Sequence, residues 1–263
     1  MIRFWQIGCG NMGRAMLDRW IASGALAAAD VAVVVRSTAD VPAGVTVAHQ
    51  LPDGPLPDMV MLAIKPHQID AVAPLFAGRG CLPMLVSILA GVEEPTLARR
   101  FDAAAIVRAM PNLPVRLGSG VVALTSASAV GDRREAVTRL MQPLGLVEWI
   151  DDAASFDLVT ALAGSGPGFV YRFIDALAAA GAELGLPGDQ AQRLALATVA
   201  GSTQLAAASD LSPAALADRV ASKGGSTRAG LNVLDDGAAL RRLLVATLAA
   251  ARDRNAEMAA EAR

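Results

Sequence analysis

Two glycine-rich stretches carry the residue types that hold anions. In Gly8-Cys9-Gly10-Asn11-Met12-Gly13 the glycines stand at the first, third and sixth places, the spacing of a loop whose backbone N–H groups face a pyrophosphate. There Gly8 makes the tight turn, Gly10 admits the phosphate to the backbone and Gly13 packs helix against strand, with Asn11 and Met12 in the same loop. An ordinary glycine-rich turn is the plainer alternative. In Ala221-Ser222-Lys223-Gly224-Gly225-Ser226-Thr227-Arg228-Ala229-Gly230-Leu231, paired glycines and three hydroxyls precede a helical pattern through residues 232–234. Glycines can turn successive N–H groups inward, Ser226 or Thr227 can cap the helix, and the helix dipole favours a carboxylate. A capped turn between helices is the plainer reading of this stretch.

Three further groups of residues bear on ligands. Arg36-Ser37-Thr38 ends a β-branched run at 31–35. An acidic residue there would hold the ribose hydroxyls of NAD, whereas a cation with two hydroxyls suits the 2′-phosphate of NADP; NAD remains the alternative cofactor, and a solvated arginine the plain reading. Ala63 and Lys65 close the run 59–64, where open α/β sheets bind ligands, so both are candidates for touching a cofactor ribose or phosphate; Lys65 reads equally as a strand-end charge in water. Small residues crowd 163–168, with Pro167 where a helix can begin, which either admits a nicotinamide ring or backbone, or breaks a helix for packing.

The elements that must position these residues follow from periodicity. Apolar runs at 4–7, 31–35, 59–64, 83–89 and 104–107 read as buried parallel strands joined by helical connections, an alternation that predicts an α/β doubly wound sheet. Runs at 121–125 and 146–150, around a helix at 132–141, extend it. After Asp151-Asp152 the strand-like runs vanish, and 169–184, 189–207, 213–220 and 240–261 read as helices. The chain therefore divides into a dinucleotide-binding domain, 1–151, and an all-helical domain, 152–263. Several of these helices are apolar around most of their circumference and must be buried against something, which predicts an intertwined homodimer.

Composition narrows the classes of function. The 263 residues are 54% apolar and 4% aromatic with a net charge of −2, so there is no basic stripe for nucleic acid, and a small-molecule ligand is expected. Cys9 and Cys81 lack metal or redox spacing, which fits a reducing cytoplasm and predicts no structural metal. Residues 194–209, the longest stretch without a charge, are too short and too polar for a membrane span, so the protein is expected to be soluble and unexported. Of 23 basic residues only Lys65 and Lys223 are lysines.

At this point the chain resembles the pyrroline-5-carboxylate reductases over essentially its whole length. Ile7-Gly8-Cys9-Gly10-Asn11-Met12-Gly13, Leu62-Ala63-Ile64-Lys65-Pro66, Val107-Arg108-Ala109-Met110-Pro111-Asn112, Gly164-Ser165-Gly166-Pro167 and Gly224-Gly225-Ser226-Thr227 follow that family's order and spacing. The resemblance implies a Rossmann-type domain followed by an all-α dimerisation domain, and NAD(P)H-dependent reduction of 1-pyrroline-5-carboxylate to proline, the last step of proline biosynthesis. It adds Asn112 to the cofactor-binding residues and places the imino-acid substrate near the subunit interface. In that family the hydroxyl loop holds the substrate carboxylate, which carries over to Gly224, Gly225, Ser226 and Thr227, with Ser222 nearby. Oligomers beyond the dimer also occur in the family. The sequence departs from the pattern at Lys223 (usually proline), Ser226 (commonly threonine) and Leu113 (usually threonine). Lys223 is either a surface substitution or an added cation for an acidic ligand.

The chemistry can be weighed separately. Reducing a ketone requires a proton donor, and His49, His67, Tyr171 and Lys223 are the few candidates. A cyclic imine needs less, since its nitrogen can enter protonated and hydride then neutralises the cation. Placement of two reactants supplies on the order of 7–11 kcal/mol in favourable cases, so a carboxylate clamp is a credible main contribution, with Thr227 as clamp and candidate proton relay. Two alternatives remain: a β-hydroxyacid dehydrogenase type or other imino-acid reductase, in which Lys223 would have to act, and an NADP-binding paralogue without activity.

Overall fold

The computed structural model describes residues 3–261; Met1, Ile2, Ala262 and Arg263, which the two expected domains include, lie outside the described residues. Short apolar runs form β1 (Phe4–Ile7), β2 (Val31–Val34), β3 (Thr46–Ala48), β4 (Met59–Leu62), β5 (Leu85–Ser87), β6 (Ile106–Pro111), β7 (Gly120–Thr125) and β8 (Gly145–Trp149). Between them lie α1 (Asn11–Ser23), α2 (Ile69–Val72), α3 (Glu94–Ala98) and α4 (Asp132–Met141). The helical half contains α5 (Ala153–Val159), α6 (Gly166–Glu183), α7 (Gly188–Ala207), α8 (Pro213–Arg219), α9 (Ser226–Asp235) and α10 (Ala239–Glu261).

The strands form one sheet in the order β3-β2-β1-β4-β5-β6-β7-β8. Pairing is parallel except between β6 and β7, so β7 and β8 run against the rest. The order reverses beside β1, which pairs with both β2 and β4. That switch point opens a crevice at the carboxyl ends of β1 and β4. Alternation along β1 distributes the core: Phe4 joins Met16, Leu17, Trp20, Val33, Met61 and Val107 on one face, while Trp5 and Ile7 join Val34, Leu62, Leu97, Phe101 and Ile106 on the other. Each such side chain contributes about 1.5–3 kcal/mol on full burial. Trp20 meets Phe4 edge to face, packing α1 on the sheet, and its indole N–H donates to the carbonyl of Leu140 at 2.7 Å, tying α1 to α4.

Two elements escaped the periodicity and one ran longer than expected. β3 is only three residues with Thr46 and Val47 exposed, so it left no apolar run to read. α5 starts where Asp152 accepts a hydrogen bond from the Ser155 N–H, and it passes into a π-helical turn over Thr160–Gly164. The expected strand at 104–107 continues to Pro111, because Arg108 does not end it: its guanidinium lies 4.6 Å from the Phe156 ring centroid, stacked on an aromatic face.

The chain forms two compact units, residues 1–165 with 250–263, and residues 166–249. In the first, Gly91 (φ 72°) lies so close to the backbone of Met258 that an added Cβ would sit 3.2 Å from it, and the Asn255 amide donates to the carbonyl of Asp157. In the second, α6 and α7 meet through small residues, with Ala178, Ala191 and Ala195 buried. Tyr171, Phe173, Leu177, Leu194, Leu196 and Leu205 of the same pair are exposed.

Candidate functional site

In the sheet unit, the strand, loop and helix expected at the start of the chain are all formed. Gly8 has φ 90°, and a Cβ there would meet the Ala63 carbonyl oxygen at 2.5 Å and Ile64 Cγ2 at 2.7 Å, so only glycine fits this turn. A Cβ on Gly13 would lie 2.9 Å from that of Ala63. Gly10 differs: nothing lies within 4 Å of the place its Cβ would take. It is the N-cap of α1, with no side-chain cap and no acidic residue in the first turn. The N–H groups at that end therefore face open space, and a pyrophosphate fits there without displacing a protein group.

The other expected cofactor residues rim this crevice. The backbone of Ala63 is tied to β1 by its N–H on the Ile7 carbonyl (2.8 Å). Arg36, Ser37 and Thr38 are exposed beyond β2, and none has a side-chain partner among the described residues. Arg14, the other cation near the loop, is already paired with Asp18 (2.6 Å) and Asp40 (2.9 Å). Lys65 is exposed; its N–H donates to Gln68 Oε1, and its carbonyl accepts from the Gln68 N–H, which starts the helical turn at Pro66.

Asn112, expected at the cofactor, also has a structural tie. It is 6% exposed, and its amide is engaged within the protein: Nδ2 donates to the Ala163 carbonyl (2.9 Å), and Oδ1 accepts from the Val121 N–H (2.8 Å). It thus ties β6 and β7 to the π-helical turn that ends at Gly164. An Asn112→Ala variant leaves two part-buried backbone groups unpaired and should lose about 2–4 kcal/mol of stability in urea unfolding. A loss below about 0.5 kcal/mol, the scale of a surface change, would show that the tie does not hold the turn.

Two residues of this unit were not singled out by sequence reasoning. Gln6 is fully buried in β1, and its Nε2 donates to the Gly8 carbonyl at 2.9 Å. The signal was a lone amide inside an apolar run. Arg108 shares the row of Ile7, Leu62 and Ser87 across the sheet. Burial lowers its pKa from the usual arginine value against the pull of Asp157, Glu93 and Glu94, and burial likewise raises the Asp157 carboxyl.

The acid–base candidates are poorly placed for proton transfer. His49 is exposed, with its Nδ1–H donating to the Val35 carbonyl at 3.0 Å, and His67 is exposed beside Lys65. Burial pushes the Cys9 thiol up, and a hydrogen bond with Asp102 does the same at Cys81, so neither is an activated nucleophile. Two surface concavities of 480 and 690 Å³, lined around Trp149 and around Phe101, contain none of the expected site residues.

In the helical unit, residues 221–225 form the turn that leads into α9. Gly224 has φ 73°, and the Gly225 N–H donates to the Ser222 carbonyl (3.0 Å). A Cβ on Gly225 would fall 2.5 Å from Ser222 Oγ. The cap differs from expectation: Gly225 itself is the N-cap, so Ser226 and Thr227 lie in the first turn and neither caps the helix. The reason is the turn, whose closure on Ser222 gives Gly225 the extended backbone a cap requires. The end of α9 is consequently open, with no acidic residue in its first turn and the Thr227 hydroxyl exposed. Arg228 is held by Asp218 at 2.6 Å, while Lys223 is exposed and lies in the turn, not on a helix.

Comparison with known proteins connects both halves. A family model described as pyrroline-5-carboxylate reductase dimerisation matches residues 153–258, and one described as NADP oxidoreductase, coenzyme F420-dependent, matches residues 6–91. The chain is 38% identical to a pyrroline-5-carboxylate reductase of Synechocystis sp. over 68% of this chain and 67% of that one. It is 32% identical to pyrroline-5-carboxylate reductase 3 of Danio rerio over 98% of this chain and 91% of that one. Among solved structures, a pyrroline-5-carboxylate reductase from Coxiella burnetii superposes with a TM-score of 0.85 at 30% identity, covering 97% of this chain and 98% of that one.

Proposed function

This chain belongs to the pyrroline-5-carboxylate reductase family, and from that premise we propose that it reduces 1-pyrroline-5-carboxylate to L-proline with NADPH. NADPH, when bound, supplies the hydride. The residues that hold it are the loop Gly8, Gly10, Asn11, Met12 and Gly13 at the end of α1, with Ala63 and Lys65 at the rim and Arg36, Ser37 and Thr38 for the 2′-phosphate. Asn112 completes the cofactor set and also ties the π-helical turn to the sheet.

The observation that carries the substrate assignment is the open N-terminus of α9, where Gly225 is the N-cap, no side chain caps the helix and no acidic residue stands in the first turn. A carboxylate accepts hydrogen bonds from those N–H groups and from Thr227, while Ser222 and Gly224 shape the turn. Held by its carboxylate, the five-membered ring has its protonated C=N bond fixed in orientation, and hydride addition neutralises the cation without a protein acid. A β-hydroxyacid dehydrogenase would use a lysine on a helix, and the turn position of Lys223 does not supply one.

The exposed apolar side chains of α6 and α7 and the match to a dimerisation model support a homodimer built on the helical domain, 152–263, beside a cofactor domain, 1–151. Assembly beyond the dimer is the open extension of this reading. No helix among the described residues is long and apolar enough to cross a membrane, and both cysteines are free, which supports a cytoplasmic enzyme.

The test is NADPH oxidation followed by absorbance, with 1-pyrroline-5-carboxylate as substrate and 1-pyrroline-2-carboxylate and a 3-hydroxyacid with NADP as controls. Turnover is expected with the first. In the same assay Arg36→Ala should raise KM for NADPH roughly 10- to 100-fold, the worth of a charge-assisted contact, and leave KM for NADH unchanged. Turnover with the controls alone would sink the substrate assignment, and an equal effect on both cofactors would sink the role of Arg36.

A further inference from the structure

Gln6 has no place in the apolar logic of β1. It pairs with Val33 on one side and Met61 on the other, and its side chain is fully buried. Its Oε1 has no hydrogen-bond partner among the described residues, a state that costs free energy in a strand interior.

What the amide does reach is the phosphate loop. Nε2 donates to the Gly8 carbonyl at 2.9 Å, and the same nitrogen lies 3.0 Å from the place a Gly13 Cβ would take. The orientation is settled by chemistry, because the reversed amide would set two oxygens against each other. One side chain thereby spans the loop from beneath, fixing the first glycine by a hydrogen bond and abutting the last. The Gly8 N–H is held from the other direction by the Val34 carbonyl at 2.8 Å. With the Gly8 N–H and carbonyl both held, the plane of the peptide that follows is set, and with it the direction of the Cys9 N–H.

We infer that Gln6 is a positioning residue for the cofactor pyrophosphate, acting through the Gly8 carbonyl; this rests on the NADPH reading of the site above. The amide sets the curvature of the loop and accepts an orphaned oxygen as the cost. Loss of the amide therefore weakens the loop and relieves the strand, two effects of opposite sign.

The test uses Gln6→Met, nearly the same shape without the donor or the orphan, and Gln6→Leu as a second apolar variant. Calorimetric affinities for NADPH and for adenosine 2′-monophosphate, which has no pyrophosphate, are measured with the melting temperature of each protein. The NADPH Kd should rise about tenfold, the worth of one hydrogen bond, with the monophosphate Kd unchanged and melting unchanged or raised. Unchanged NADPH affinity in a folded variant overturns the proposal. So does an equal loss for both ligands, or failure of both variants to fold, since the amide would then serve the fold. If the native enzyme binds the monophosphate but not NADPH, the cofactor reading itself falls.

Discussion

A Gly8→Ala enzyme should lose roughly two orders of magnitude in NADPH affinity, while Gly10→Ala, two residues away, should melt with the native protein and still bind the cofactor poorly. At Gly8 the added methyl meets the Ala63 carbonyl oxygen at 2.5 Å, with the backbone at φ 90°, where an L side chain is strained. Such strain costs about 1–3 kcal/mol, and its relief requires moving the loop away from β4. At Gly10 the methyl meets no protein atom, and the residue's φ of −75° suits alanine. Its effect is confined to the space a phosphate would occupy. The pair separates folding from binding: calorimetric Kd and melting temperature of both variants decide it, and native-like NADPH binding by Gly10→Ala would remove the pyrophosphate from that space.

The second large effect belongs to the helical unit. Thr227→Ala should lower kcat/KM for 1-pyrroline-5-carboxylate about 100-fold, the scale of removing one preorganised donor from a reacting ligand. NADPH affinity and stability should stay as they are, because the Thr227 hydroxyl is exposed and has no protein partner among the described residues. Alanine also favours a helix more than threonine does, so no loss of α9 is expected. Thr227→Ser retains the hydroxyl and should recover most of the rate. Unaltered turnover in the alanine variant would leave the clamp to the backbone N–H groups alone.

How legible these sites were depends on whether their physics is local. The phosphate loop could be read because tight turn, strand and helix occupy fourteen consecutive residues, and each glycine answers a constraint from its immediate neighbours. The helix 132–141 was readable for the same reason. Arg108 and the tie made by Asn112 were not, since what defines them is remote: a Phe156 ring in one case, an Ala163 carbonyl 51 residues away in the other. A strand that carries an arginine at mid-length looks finished at that point, and only the fold supplies the face that covers it. The capping of α9 failed more narrowly. Two hydroxyls beside a helix start suggest a cap, yet the turn closed one residue earlier, on glycine.

The sheet unit is assembled from two separated pieces of chain, 1–165 and 250–263, with the whole of 166–249 between them. During synthesis on a ribosome the last turns of α10 emerge only after every residue of the helical unit. Until then Gly91 lacks the Met258 backbone that packs against it, and the Asp157 carbonyl lacks the Asn255 amide. A nascent chain that has reached residue 165 therefore carries all eight strands but an incomplete surface beside α3 and α5. The sheet unit is thus closed by a segment translated after the helical unit, and its two ends must find each other across 84 intervening residues.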